Sequence, residues 1–425
     1  MNEMSERHSH KAELIIRIED VLKNDNRFAK WIGEIKDKSS GVPGFGYDMG
    51  VGQYLKIPMQ KQVIDATINS LNARHTSYLD NPKEFPNLLA EKLKKENNLS
   101  VDPQSELMVV GALSPGMYLA PLAFINPGEE VLIIDPDYVR MESFAIARFG
   151  KIVRVPLKER KGIIDETRWY FDPHELECRI TEKSKLFMFC NPNNPTGYVY
   201  SQDDLHAIAR IAKKYNLIVF CNECYERLVF SKEFYKTLVF NSLASISGMK
   251  ERTITVQAVT KNYDMTGFRV GWIFSSTQII KVLQFLNFWC GGFTAPPFSQ
   301  YGAIAATTSP FRENYIREVL KIYYENIDLL HETLNKFPWI ECSKPLGGTF
   351  VFADITKLGI SDVELAKFLL ERGVMTDYGS AWGTTGVGHL RLTIANPTEY
   401  LKKGLEKLVE AITEYSILHK NQLCN

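Results

Sequence analysis

Six short apolar runs, set apart by helical patterns through the middle of the chain, limit the possible folds more than any other feature. They are Leu107-Met108-Val109-Val110, Val131-Leu132-Ile133-Ile134, Ile152-Val153-Arg154-Val155, Leu186 to Phe189, Leu217 to Phe220 and Thr253 to Val256. Between two of them, Ser201-Gln202-Asp203-Asp204 reads as a capping box. Leu205, Ile208, Ile211 and Ala212 then recur at helical spacing. This alternation predicts an α/β fold, a mostly parallel sheet flanked by helices. At 425 residues the chain is long for one core and suggests two domains. The C-terminal part changes character. It carries Gly348 to Phe352, a helix from about Asp362 to Glu371, a strand at Leu390 to Ile394 and a helix from Pro397 striped by Leu401, Leu405, Leu408 and Ile412. The expected division is an arm and part of the small domain over 1–60, a large domain over 61–325 and a small domain over 326–425.

Thr253 to Val256 runs on into Lys261-Asn262-Tyr263-Asp264-Met265-Thr266-Gly267-Phe268-Arg269, and the apolar Val270-Gly271-Trp272-Ile273-Phe274 follows. The spacing predicts a lysine at the end of one core strand and an arginine at the start of the next. Lysine is almost never fully buried without a partner. An aldehyde supplies a reason, because a Schiff base needs an amine whose charge can be suppressed. The arginine suits a phosphate dianion through two parallel hydrogen bonds. On these two residues alone, a solvated surface loop competes with that reading.

Asn191-Pro192-Asn193-Asn194-Pro195-Thr196-Gly197 follows the apolar Leu186 to Cys190. Its composition is that of a turn. At the carboxyl end of a strand, however, Asn194 can aim an amide into the crevice where open α/β sheets bind ligands. Together with Gly111-Ala112-Leu113-Ser114-Pro115-Gly116 and His389-Leu390-Arg391-Leu392-Thr393, these segments resemble the pyridoxal phosphate (PLP) enzymes of the aminotransferase class I and II family, fold type I. The resemblance runs from about Asp48 to about Leu408. It implies a PLP cofactor, L-amino acid substrates, a homodimer with shared active sites, and a mostly parallel seven-stranded sheet in the large domain beside a smaller α/β domain.

The same resemblance implies roles for single residues. Lys261 is the catalytic amine. The Gly111-Ala112-Leu113 turn holds the cofactor phosphate, with backbone N–H groups at a helix start suited to an anion, and Thr260 and Arg269 complete the cup. Relatives carry a hydroxyl three residues before the lysine, where this chain has Ala258, and Leu113 also lacks one. The grip then depends more on backbone and Arg269. Tyr138 matches the aromatic that stacks on the pyridine; packing at a strand end is the alternative. Asn194 and Tyr225 match the two partners of the ring's phenolic oxygen. Tyr78 looks like the tyrosine that reaches the phosphate across the dimer, although Glu84 stands where a glycine normally follows. Arg391, on an apolar strand, fits a bidentate α-carboxylate clamp, with a structural salt bridge as the competing reading. Gly52 resembles part of the loop lining that pocket, which Asn194 shares. The aromatic residues Phe45, Tyr47, Phe288, Trp289 and Trp382 suit core or interface better than a specificity pocket.

One position departs from the family. Asn222-Glu223-Cys224-Tyr225-Glu226 begins with asparagine where relatives have the aspartate that pairs with the pyridine nitrogen. An amide can donate to an unprotonated nitrogen but offers no charge to keep a proton there. Glu223 could compensate only if the strand were out of register, which Tyr225 argues against. An aminotransferase is the expectation. A PLP-dependent lyase, cyclase or β/γ-replacement enzyme is the first alternative, and a non-catalytic homologue the second.

Formal net charge is zero, from 50 basic and 50 acidic residues, so no basic surplus points to nucleic acid or an anionic membrane. The polar start and the lack of any long apolar run give the expectation of a cytoplasmic protein; its partners, an amino acid and a keto acid or second small molecule, are what the family resemblance implies. Seven cysteines are scattered along the chain and read as free thiols. Cys221 and Cys224 form a C-x-x-C, but no second pair lies nearby to make a metal site.

Overall fold

The structure is a computed structural model that describes residues 46–50, 57–230, 240–290, 292 and 294–418. The strands in chain order are β1 (Tyr47–Asp48), β2 (Leu107–Val110), β3 (Glu130–Asp135), β4 (Lys151–Pro156), β5 (Lys158–Glu159), β6 (Trp169–Tyr170) and β7 (Ser184–Cys190). They continue with β8 (Ile218–Asn222), β9 (Thr253–Ala258), β10 (Gly271–Phe274), β11 (Phe350–Asp354), β12 (Val374–Met375), β13 (Asp377–Tyr378) and β14 (His389–Thr393). Seven of them form the main sheet in the order β2-β10-β9-β8-β7-β3-β4. β10 is antiparallel to both neighbours, and the pairs from β9 to β4 are parallel. A second sheet, β11-β14-β13, lies in the C-terminal part.

Strands β3 and β9 are buried along their whole length, as a parallel sheet covered on both faces requires. Their side chains alternate between two cores. Leu132, Ile134, Phe187, Phe189 and Val219 pack with Leu205, Ile208 and Ile211 of the helix Gln202–Lys214. Val131, Ile133, Leu186, Met188, Phe220 and Ile254 pack with Met117 and Leu119 of Ser114–Phe124 and with Ile280 and Leu283 of Thr277–Trp289. The capping box forms as the sequence predicts: the Ser201 hydroxyl accepts from the Asp204 N–H, and the Asp204 carboxylate takes the Ser201 N–H. In the C-terminal part Leu401, Leu405, Leu408 and Ile412 are all buried.

The register decides where the chemistry gathers. Cys190, Asn222 and Val256 lie side by side across β7, β8 and β9, and Ala258, Gly271 and Val110 across β9, β10 and β2. Each of the segments Gly111–Leu113, Pro136–Tyr138, Asn191–Asn194, Glu223–Tyr225 and Val259–Lys261 therefore leaves the same edge of the sheet, the carboxyl edge. Gly271 is required there, because a Cβ would stand 2.7 Å from the Ala112 carbonyl oxygen.

Candidate active site

Lys261 sits in a single helical turn, Val259–Asn262, that begins as soon as β9 ends. Burial pushes its amine below the usual lysine range. The guanidinium charges of Arg391 and Arg269 act in the same direction, against Cys224 and Asp264. More of the amine is therefore neutral and nucleophilic at a given pH. The turn is held from beneath: the Asn262 side chain donates to Glu226 and accepts the Arg227 N–H at 3.4 Å. Glu226 in turn pairs with the buried Lys92 at 2.9 Å.

Beside Lys261, the Thr260 hydroxyl is buried without a hydrogen-bond partner. At the Gly111–Leu113 turn a Cβ on Gly111 would meet no atom within 4 Å, so the cradle is open, and Ser114 starts an eleven-residue helix. An unused hydroxyl, an open backbone turn and a helix start fit a phosphate. Arg269, at the turn into β10, has φ +56° and gives one Nη1 hydrogen bond to the Thr266 carbonyl at 2.8 Å. Its guanidinium is exposed in the single chain.

Arg391 is the most enclosed cation of the site. Nη1 donates to Asn194 Oδ1 at 3.0 Å, and Nη2 donates to the Gly50 carbonyl at 2.9 Å and to Asp377 Oδ2. Phe350 and Trp382 cover its plane at 3.7 and 3.8 Å. Since a guanidinium can only donate, the Asn194 oxygen must face it, which leaves the Asn194 NH2 for a ligand. The same logic fixes Asn222. Its Oδ1 accepts the Cys224 N–H at 3.2 Å, so the end left over is a donor. Glu223 is turned away from Asn222, accepting from Ser242 at 2.7 Å and Gln257 at 3.0 Å.

Tyr138 and Trp382 lie nearly parallel with ring centroids 6.2 Å apart. The loop carrying Tyr138 is pinned by Asp137, whose carboxylate takes the N–H of Tyr138 at 2.6 Å and of Cys190 at 2.9 Å. Burial raises that carboxyl to about 7. Tyr225 is buried, and burial pushes its phenol well above the ordinary value. Tyr78 stands apart, 72% exposed on the outer surface. Gly52 and Phe45 lie outside the described residues. Phe288 and Trp289 are exposed, Tyr47 packs edge-on against Tyr400, and among the described residues only Trp382 of the aromatics singled out in the sequence touches Arg391. Asp377 was not legible as a site residue, because a lone aspartate on a two-residue strand carries no pattern. Cys221 and Cys224 are free and buried. Among the described residues, Glu159, Asp354 and His389 are grouped closely enough for a metal, but Arg168 and Lys161 already neutralise them. No described helix is long and apolar enough to cross a membrane.

The chain matches the model of the aminotransferase class I and II family over residues 47–412. It is 32% identical over 393 residues to a probable aspartate/prephenate aminotransferase of Aquifex aeolicus, covering 90% of this chain and 93% of that protein. The aromatic aminotransferase structure from Pyrococcus horikoshii superposes with a TM-score of 0.81 at 28% identity, covering 90% of this chain and 99% of that one. Cystalysin from Treponema denticola, solved with a PLP cofactor, gives 0.82 at 18% identity over 90% and 95% of the two chains, and at that identity bears on the fold alone. The named sequence relatives are transaminases, so elimination, cyclisation, replacement and a non-catalytic role are not favoured. A buried lysine with a depressed pKa, an open backbone turn at the same sheet edge and a buried guanidinium, on a fold type I sheet, suit PLP, and with a match over residues 47–412 the chain belongs to the aminotransferase class I and II family.

Proposed function

We propose that this PLP-dependent aminotransferase moves the amino group of an L-amino acid to a keto acid, with Lys261 as the residue that carries the α-proton. The cofactor, when bound, supplies an aldehyde to accept the amino group and a ring to draw electron density from the α-carbon. Lys261, whose amine burial holds below the usual lysine range, would take the proton from the α-carbon and return it to the carbon on the other side of the amino nitrogen. Gly111, Ala112, Leu113, Thr260 and Arg269 hold the phosphate. Tyr138 supports one face of the ring, and Asn194 and Tyr225 donate toward its phenolic oxygen. Arg391 takes the substrate carboxylate, with Gly52 in the adjoining loop. The observation that carries this reading is the Asn194–Arg391 hydrogen bond, which ties a donor for the cofactor to a cation for the substrate.

Asn222 sets the tempo in this scheme. Its free donor end serves an unprotonated ring nitrogen. Losing an opposite charge at contact distance shifts a pKa by roughly 1–3 units, or about 1–4 kcal/mol of ring-proton stabilisation. The chain works with a weaker electron sink than an aspartate would give. Supporting a homodimer, Ile64, Ile68, Leu71, Leu79, Val282, Phe285, Phe288 and Trp289 are all exposed in the single chain alongside Tyr78. We assign Tyr78 to the phosphate of the second copy, the arm and domains to 1–60, 61–325 and 326–425, and the protein to the cytoplasm. The test is to mix holoprotein with a panel of amino acids. Conversion of the cofactor to its amine form with release of a keto acid is expected; no conversion with any of them contradicts transamination.

A further inference from the structure

Arg391 is committed on every edge a carboxylate could use. A bidentate carboxylate needs two adjacent N–H groups, from either the Nη1/Nη2 edge or the Nε/Nη2 edge. Both edges share Nη2, and Nη2 already donates to the Gly50 carbonyl and to Asp377 Oδ2. The remaining N–H groups, one on Nη1 beside the bond to Asn194 and one on Nε, belong to different edges; Nε is buried with no hydrogen-bond partner. Phe350 and Trp382, packed against the guanidinium at 3.7 and 3.8 Å, restrain it from turning to offer a new edge. Asp377 is therefore the movable partner. It is buried, and burial raises its carboxyl above the ordinary value while Arg391 opposes this.

We propose that Asp377 is a resident occupant of the carboxylate clamp, so that a substrate binds by exchange, taking Nη2 from Asp377. This rests on the reading of Arg391 as the clamp. Asp377 becomes a specificity-determining residue: a carboxylate alone has to displace an internal rival, and amino acids whose side chains add binding of their own gain the advantage. The neutral carboxamide of the same ligand has no claim on the Nη2 edge and stays indifferent to Asp377.

The test uses holoprotein and two probes without an amino group, 3-phenylpropionate and 3-phenylpropionamide, with dissociation constants from calorimetry for wild type, Asp377→Asn, Asp377→Ala and Arg391→Met. In both Asp377 variants the carboxylate is expected to bind roughly 10- to 100-fold tighter, the range of one charge-assisted hydrogen bond. The amide should move by less than about twofold. Arg391→Met should lose the carboxylate. In a structure of wild type with 3-phenylpropionate, Asp377 should have left Nη2. If Arg391→Met leaves the carboxylate affinity unchanged, the clamp reading fails and the exchange with it. If Arg391→Met loses the carboxylate but neither Asp377 variant gains, or if Asp377 stays on Nη2 beside a seated probe, the exchange alone is wrong.

Discussion

Asn222 differs from aspartate by one functional group, and in the proposed scheme the chemistry turns on what that group can hold. Its oxygen is spent on the Cys224 N–H, so the site receives a neutral donor. Asn222→Asp is expected to raise the transamination rate by ~10–1000-fold, from the 1–4 kcal/mol of ring-proton stabilisation it restores. The cofactor's absorption should shift with it; unchanged spectra and rates would contradict the assignment. Glu223, one residue on, gives a pH prediction. Burial raises its carboxyl from 4.5 to about 7. The folded protein thus holds a proton there that the unfolded chain releases. Its stability contribution is full below pH 4.5 and is lost as pH rises through about 7. Urea midpoints measured from pH 5 to 8 should fall with pH, and fall less steeply in Glu223→Gln. Equal slopes would rule out this source. At this scale the placement of Lys261, Asn194 and Arg391 in the fold was legible, because each follows or lies on an apolar run whose direction is fixed by period. Asp377 was not, since its partner is brought to it only by strand pairing.

The elements beneath the site are braced by buried charge. Lys92, on the helix Phe85–Asn97, pairs with Glu96 at 3.1 Å and Glu226 at 2.9 Å, and Glu226 steadies Asn262 beside Lys261. Removing one member of such a cluster leaves the others uncompensated, so Lys92→Met should destabilise by about 3–5 kcal/mol. Chemical denaturation measures this, and a loss under 1 kcal/mol, on the scale of an exposed pair, would mean that water compensates. Ser201→Ala, at the capping box, should cost about 1 kcal/mol with no change in activity. The cap and the strands were readable because they rest on neighbours in sequence. The Lys92 cluster joins residues 134 apart, and local spacing carries no trace of it. The antiparallel insertion of β10 between β2 and β9 was hidden for the same reason.

In the whole molecule, the C-terminal sheet is tied to the mouth of the main sheet. The Asp135 carboxylate at the end of β3 takes the N–H groups of Thr384 and Thr385 at 3.0 and 3.1 Å, and Asp137 donates its N–H to the Trp382 carbonyl at 3.1 Å. That tie brings Trp382 onto Arg391 and makes one site from two sheets. Tyr78 and Trp289 are exposed in the single chain, and on the proposed dimer sedimentation of holoprotein should give twice the mass of one chain; a single-chain mass would count against the shared site. The central claim, an amine at residue 261 that takes up the cofactor's aldehyde, has a direct measurement. Borohydride is added to holoprotein, the chain is cut, and the peptides are weighed. The account predicts a reduced pyridoxyl group on Lys261 alone, abolished in Lys261→Ala; a label on another lysine, or none, would contradict it.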